Sequence, residues 1–185
     1  MKKFINKYTK NSSTQKNNTK TTENVMDRKE QYNKLYQRSL RVLSSRQRTE
    51  SQIRDYLNRV VQKEKIDSDL IEEVISQLKR VDYINDSQYI SDYVDIRTKN
   101  KQKGKRGLIY ELQKKGIKSD AINTYFANNS VDEEQLAKMA LYKVWGRYRG
   151  LNKFDRYKKT TQYLLRRGFD YEVVRKTIEE FEESE

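Results

Sequence analysis

The chain has 185 residues, of which 34% are hydrophobic and 36% charged, and it contains no Pro, Cys or His. So small a hydrophobic share favours several small helical layers over one large core, and without Cys or His there is no disulfide scaffold, catalytic triad or transition-metal cluster. A formal net charge of +13 indicates a polyanionic partner, nucleic acid or an anionic membrane face, unless the charge serves solubility alone.

The first residues, 1–28, are rich in Asn, Thr, Ser and Lys, and their few apolar residues follow no period. Because this composition cannot offset the entropy cost of ordering the backbone, we expect a disordered basic tail. The tail shows no amphipathic face for a membrane surface, no signal-peptide stretch follows the first bases, and no run approaches about 18 apolar residues. We therefore expect a cytoplasmic protein that does not bind membranes.

Helical periodicity follows the tail. Leucines within Leu35–Leu43 mark a first helix, and "TESQ" at Thr49–Gln52 has the capping-box spacing that starts a second helix. The apolar run Leu70–Leu78 predicts a third helix. "NDSQ" at Asn85–Gln88 repeats the cap signal and predicts a fourth.

Two similar phrases, "LQKKGIKSDAI" (Leu112–Ile122) and "LLRRGFDYEVV" (Leu164–Val174), lie 52 positions apart. Both place an apolar residue four positions before a glycine and another directly after it. This pattern is typical of a helix that ends in a left-handed residue, so Gly116 and Gly168 are predicted helix stops. The polar positions that follow are expected to start the next helices.

A third copy of the pattern lies earlier in the chain. Ile66–Ile75 aligns with Ile117–Phe126 at an offset of 51, whereas Ile53–Leu57 aligns with Leu108–Leu112 at an offset of 55. The difference predicts four residues inserted in the turn "VVQKEK", where the glycine is absent. Since one such unit cannot bury its apolar stripe alone, we predict an all-α fold of three tandem three-helix repeats in an elongated, curved array. The predicted repeats are residues 29–84, 85–130 and 131–185.

Besides the tail, two segments carry the positive charge. Arg97–Lys118 contains nine bases and one acid, and Lys138–Gly168 contains ten bases and one acid. Charge this segregated favours a phosphate-facing surface over an ordinary solvated one. A helix is predicted to begin near Lys153, and a rotation of about 100° per residue gives it two faces. The apolar face consists of Phe154, Tyr157, Thr161, Leu164 and Leu165. The basic face consists of Arg156, Lys159, Arg166 and Arg167, with Tyr163 among them.

The stretch "TKNKQKGKRG" (Thr98–Gly107) is expected to resist helix formation and to present flexible ammonium groups, although an ordinary solvated connector fits it equally well. No catalytic, cofactor or metal site is predicted. The predicted polyanion contacts are Lys101, Lys103, Lys105, Arg106, Lys114, Lys115, Arg147, Arg149, Arg156, Lys159, Arg166 and Arg167.

Four stretches, "SLRVLSSRQRTESQIRDYL", "INDSQYISDYVDIR", "GKRGLIYELQKKGI" and "LLRRGFDYEVVRKTI", occur in this order. Together they resemble the successive segments of the RecX family, bacterial regulators of the RecA recombinase, over about Leu35–Phe181. The chain departs from the family pattern where Lys105 replaces a common Pro and Asn85-Asp86 replaces an Asp-Asp pair.

The resemblance implies a monomeric, non-enzymatic modulator that lies in the groove of a RecA–single-stranded DNA filament and limits filament growth, ATP hydrolysis and strand exchange during homologous recombination and DNA repair. The basic residues would then face phosphates of single-stranded or double-stranded DNA, or an acidic recombinase surface. The alternative is a helix-turn-helix regulator that reads duplex DNA, because short helix pairs joined by a glycine turn suit that architecture. The helices after Gly116 and Gly168 begin with acids, which argues against docking them on phosphates.

Overall fold

The structure is a computed structural model that describes residues 26–183, and within this range it contains nine α-helices and no strand. The predicted tail lies outside the described residues except for its last three positions, the third of which already begins the first helix. None of the described helices is long and apolar enough to cross a lipid bilayer. The helices are α1 (Arg28–Ser45), α2 (Glu50–Glu64), α3 (Leu70–Arg80), α4 (Asp86–Lys101), α5 (Lys105–Lys114), α6 (Ser119–Asn128), α7 (Glu133–Tyr148), α8 (Lys153–Arg166) and α9 (Tyr171–Glu183).

Each set of three consecutive helices packs around its own hydrophobic core. Leu57 lies in the core of the first unit (α1–α3), Leu108 in that of the second unit (α4–α6) and Leu164 in that of the third unit (α7–α9), and all three side chains are fully buried. Burial of one such leucine contributes roughly 1.5–3 kcal/mol to folding. The predicted all-α class and its three tandem three-helix units are confirmed. The predicted repeat boundaries fall in the connections α3–α4 and α6–α7.

The predicted helix starts are explained by side-chain caps. Thr49 and Gln52 form the capping box of α2, with the Gln52 amide donating to the Thr49 hydroxyl at 3.2 Å. The Asn85 side chain accepts from the Gln88 amide at 2.9 Å at the start of α4. Such a cap is worth about 1 kcal/mol to the helix. The start of α6 differs, because Lys118 is the cap residue and no side chain accepts a hydrogen bond there.

The two glycine stops are confirmed in atomic detail. Gly116 has φ +78° and Gly168 has φ +84°, both in the left-handed region that favours glycine. The Ile117 amide donates to the carbonyl five residues before it, that of Leu112, at 3.3 Å, and the amide after Gly168 donates to Leu164 in the same way at 3.4 Å. These bonds satisfy carbonyls that the helix end would otherwise leave without donors.

The first unit ends its middle helix with the same cap, but without glycine. Lys65 adopts φ +52°, and the Ile66 amide donates to the Val61 carbonyl at 3.2 Å. Val61 therefore corresponds to Leu112, and the offset of 51 continues through the turn. The predicted insertion in "VVQKEK" is wrong, because α2 has 15 residues and α5 has 10 and the additional turn lies at the start of α2.

Two further predictions about the basic segments are wrong. Thr98–Gly107 is mostly helical, since α4 continues to Lys101 and α5 begins at Lys105. In α8 the buried positions are Thr160 and Leu164, whereas three residues of the predicted apolar face are exposed to solvent, namely Phe154, Tyr157 and Leu165. The side of α8 that packs is therefore rotated relative to its apolar pattern, and it includes an ion-paired arginine, described below.

Candidate nucleic-acid interface

The second and third units meet where the start of α5 lies against the end of α8. The Gly104 amide donates to the Arg167 carbonyl at 3.1 Å, and the Gly107 amide donates to the Gly168 carbonyl at 3.3 Å. Amides in the first turn of a helix and carbonyls in the last turn lack partners within their own helix. The contact therefore gives the free amides at the start of α5 and the free carbonyls at the end of α8 hydrogen-bond partners in each other.

Glycine is required at this junction because the two backbones approach closely. A Cβ atom on Gly104 would lie 2.5 Å from the Gly168 carbonyl oxygen, and one on Gly107 would lie 2.5 Å from that of Arg167. Real Cβ atoms do not approach backbone oxygens so closely. The glycines of "GKRG" thus serve a packing contact rather than a flexible connector.

The first and second units meet in a similar arrangement. The Thr49 hydroxyl at the start of α2 donates to the Lys115 carbonyl at the end of α5, at 2.7 Å. A Cβ atom on Gly116 would lie 2.1 Å from the Ser51 hydroxyl oxygen. At both junctions the C-terminal cap of one middle helix contacts the N-terminus of the preceding unit's middle helix. The positive end of one helix dipole therefore faces the negative end of the next, and the units follow one another in an extended series.

A cleft lined almost entirely by basic side chains lies beside the junction of the second and third units. We call it the basic cleft, and its volume is ≈ 360 Å³. Both charged segments of the sequence contribute to it. Its lining consists of Arg97, Lys101, Lys103, Tyr163, Arg166 and Arg167.

One arginine of the basic cleft is held in place by the junction itself. The Arg167 guanidinium donates to the Lys101 carbonyl and lies over the ring of Tyr163, 4.7 Å from the ring centroid. The Tyr163 hydroxyl in turn donates to the Ala140 carbonyl at 3.2 Å. These contacts order the wall of the cleft that α8 provides, while Arg166 beside it remains exposed.

Glu111 balances part of the positive charge. Its carboxylate lies 3.1 Å from both Arg97 and Lys103 and accepts a hydrogen bond from the Tyr93 hydroxyl at 2.7 Å. Although partial burial acts to raise it, the pKa of Glu111 lies below its ordinary value, because Tyr93 and Lys103 donate hydrogen bonds to the carboxylate. Glu111 is therefore ionised at neutral pH, and its carboxylate offsets two of the five cations of the cleft.

Four of the twelve predicted contact residues line the basic cleft: Lys101, Lys103, Arg166 and Arg167. Arg156 does not, because its guanidinium donates to the Glu182 carboxylate at 2.6 and 2.7 Å and lies over the ring of Trp145. The Arg156 hydrogen bond lowers the pKa of Glu182. The predicted basic face of α8 is thus divided, with Arg156 on the packed side of the helix.

The remaining predicted residues lie around α5, α7 and α8, outside the lining of the cleft. Lys105 lies over Phe126 and Lys114 over Tyr110, with nitrogen-to-centroid distances of 5.5 and 4.6 Å. Arg106 lies 3.7 Å from the Asp170 carboxylate. Lys115 lies 5.1 Å from the ring centroid of Tyr93, and three exposed residues complete the set: Arg147, Arg149 and Lys159.

The prediction missed Arg97, which lines the basic cleft and stacks on Tyr93 at 5.0 Å. A signal for it was available, because Arg97 lies one helical turn before Lys101 and both positions share a face of α4. What the sequence could not show is that this face lies opposite the end of α8.

Three comparisons with known proteins bear on this architecture. Residues 132–178 match the family model "RecX, third three-helix domain". The chain is 26% identical over 163 residues to the regulatory protein RecX of Oceanobacillus iheyensis, covering 87% of this chain and 58% of that protein. It is 31% identical over 141 residues to the regulatory protein RecX of Streptococcus agalactiae serotype V, covering 76% of this chain and 52% of that protein.

The fold is also similar to that of a solved structure. The crystal structure of RecX from Lactobacillus salivarius superposes with a TM-score of 0.72 and 27% identity, covering 82% of this chain and 97% of that one. The chain spans a little more than half the length of the two curated relatives named above. The three-unit fold, the matched third domain and the agreement with these relatives over most of the chain show that this protein belongs to the RecX family.

Proposed function

We propose that the chain is a regulatory protein that binds along the groove of a RecA–single-stranded DNA filament and limits filament extension, ATP hydrolysis and strand exchange. It acts as a binding protein rather than an enzyme. Such filaments form in the bacterial cytoplasm, which is where this function requires the chain to act.

The basic cleft is the observation that supports this proposal. Its five cations come from two successive units, so neighbouring repeats share one positively charged surface. Within residues 26–183, Glu111 is the carboxylate that pairs with these cations, through Arg97 and Lys103, and a single-stranded backbone with regularly spaced phosphates complements such a surface.

Recombinase activity provides the test. The full chain is titrated into a bacterial RecA on single-stranded DNA, and DNA-dependent ATP hydrolysis and strand exchange are measured. We expect both to slow as the chain approaches one copy per recombinase monomer. Absence of any effect at that ratio would refute the proposal.

A double variant shows whether the basic cleft takes part. Lys101→Gln with Arg166→Gln removes two exposed charges from opposite walls of the cleft, and we expect the inhibition to weaken. Arg59→Gln, which removes one exposed charge from α2 in the first unit, is the control and should inhibit like the parent chain. Equal inhibition by all three proteins would place the contact elsewhere.

Reading of duplex sequence is the less favoured function. The helices that would serve as recognition helices, α6 and α9, carry Asp120 and Glu172 in their first turns. Carboxylates there repel the phosphates that flank a groove. A single preferred duplex sequence in a footprinting assay would support this alternative instead.

A further inference from the structure

The junction between the second and third units is held by polar contacts rather than by a shared apolar core. Within residues 26–183 the buried hydrophobic residues of these two units form separate clusters. The Gly104 and Gly107 amides donate across the junction, and Lys143 of α7 donates to the Gln102 side chain at 2.7 Å. The Lys105 amide donates to the Glu133 carboxylate at 2.9 Å. The net contribution of each such contact to stability is modest, so the junction should open more readily than the hydrophobic core of either unit.

Gln102 lies between two lysines of the basic cleft and also takes part in the junction. Gln102 has φ +43° and is almost completely buried, although glutamine normally lies at the surface. Its neighbours Lys101 and Lys103 both line the cleft. A backbone movement at these lysines would also move Gln102, which accepts the Lys143 hydrogen bond and lies two residues before Gly104, the N-cap of α5.

The cations of the basic cleft come from both sides of this junction. Arg97, Lys101 and Lys103 belong to the second unit, and Arg166 and Arg167 belong to the third unit. Glu111 offsets Arg97 and Lys103, and without an anion the like charges that remain on the two walls repel each other and oppose closure of the junction. An anion bound between the walls favours closure instead, because both walls are attracted to the same ligand.

We propose that a backbone phosphate of single-stranded nucleic acid binds in the basic cleft and thereby closes the junction between the second and third units. This inference rests on the proposed function and adds that the site couples ligand binding to the arrangement of two units. Coupling of this kind is reciprocal, so closure of the junction must strengthen binding by the same factor. Free inorganic phosphate shares the chemistry of the ligand, and the experiment separates the two sources.

Amide hydrogen exchange of the full chain tests the proposal, because the Gly104 and Gly107 amides report directly on the junction. With saturating oligothymidylate we expect their exchange to slow by roughly fivefold or more, the lower end of typical coupling between sites. The Ile53 amide, which donates to Thr49 at the start of α2, should not change and serves as the internal reference. Lys101→Gln with Arg166→Gln should abolish the slowing, and Arg59→Gln should retain it.

Two results would overturn the proposal. One is that oligothymidylate binds while the exchange of Gly104 and Gly107 stays unchanged. The other is that inorganic phosphate slows exchange and oligothymidylate does not, which would make the cleft a site for free phosphate. Neither result refutes the proposed function, because the recombinase assay tests that function separately. Conversely, if oligothymidylate slows the exchange but the chain has no effect on the recombinase, the proposed function is refuted and closure of the junction by phosphate is supported.

Discussion

Lys65 occupies the left-handed position that glycine occupies in the other two units. Its φ of +52° carries a steric cost that Gly116 and Gly168 avoid, yet the cap forms with the same hydrogen bond. The apolar contact that closes the cap and the burial of Ile66 evidently outweigh this cost. The geometry of the repeat therefore does not require glycine at the end of its middle helix.

We predict that Lys65→Gly stabilises the chain. The variant relieves the left-handed strain, and its free energy of unfolding should exceed that of Lys65→Ala by about 1 kcal/mol. Lys65→Ala keeps a Cβ atom and is the matched control, with a stability close to that of the parent. Urea unfolding followed by circular dichroism measures the difference. A glycine variant no more stable than the alanine variant would show that the strain at Lys65 is negligible.

Among the elements, α5 owes its position to contacts at both ends. Its start lies against the end of α8, and its end lies against the start of α2. The second unit also has the smallest hydrophobic core, with six buried hydrophobic residues against twelve in the first unit, counted within the described residues. The glycines at the start of α5 therefore matter more for stability than helix propensity alone would suggest.

We predict opposite effects of alanine at two helical glycines. Gly107→Ala should lower the free energy of unfolding by about 1–3 kcal/mol, because its Cβ would lie 2.5 Å from the Arg167 carbonyl oxygen. Gly146→Ala, within α7, should raise it by about 0.5–1 kcal/mol, because no atom lies within 4 Å of its Cβ and alanine favours the helix. Thermal or urea unfolding of both variants provides the comparison. If Gly107→Ala were also stabilising, the close approach of α5 and α8 could not be present in solution.

At the scale of the whole molecule, folding brings two distant charged segments to one cleft. Arg97 and Arg167 are 70 positions apart in the sequence, yet both line the basic cleft. For each single-stranded phosphate that the chain neutralises, the logarithm of the binding constant falls by about 0.7 for a tenfold rise in salt concentration. The salt dependence of binding therefore counts the contacts that the folded chain makes.

We predict that Lys101→Gln with Arg166→Gln flattens the salt dependence of single-stranded DNA binding by roughly 1.4, or about 0.7 for each lost contact. Arg59→Gln, far from the cleft in sequence and in a different unit, should leave the slope near that of the parent. Fluorescence anisotropy with a labelled oligothymidylate over a range of salt concentrations gives the slopes. Identical slopes for the double variant and the parent chain would mean that the phosphates bind elsewhere.

The helices, their caps and the three-unit organisation follow from residues close together in the chain. Thr49 and Gln52 predict the start of α2, and Gly168 predicts the end of α8, because a cap depends on atoms within about five residues of each other. The repeated apolar spacing predicts the separate units for the same reason. Only four of the twelve predicted contact residues reach the basic cleft, however, and Arg97 was missed.

Tertiary structure alone decides which cations share a surface. Arg156 and Arg166 lie on the same helix and look equivalent in the sequence, but Glu182 of α9 binds the first and leaves the second exposed. The electrostatic environment of a side chain depends on neighbours within several ångströms in space, whatever their separation along the chain. Helix periodicity could not anticipate the rotation of α8 either, since that rotation is set by α7 and α9 packing against it.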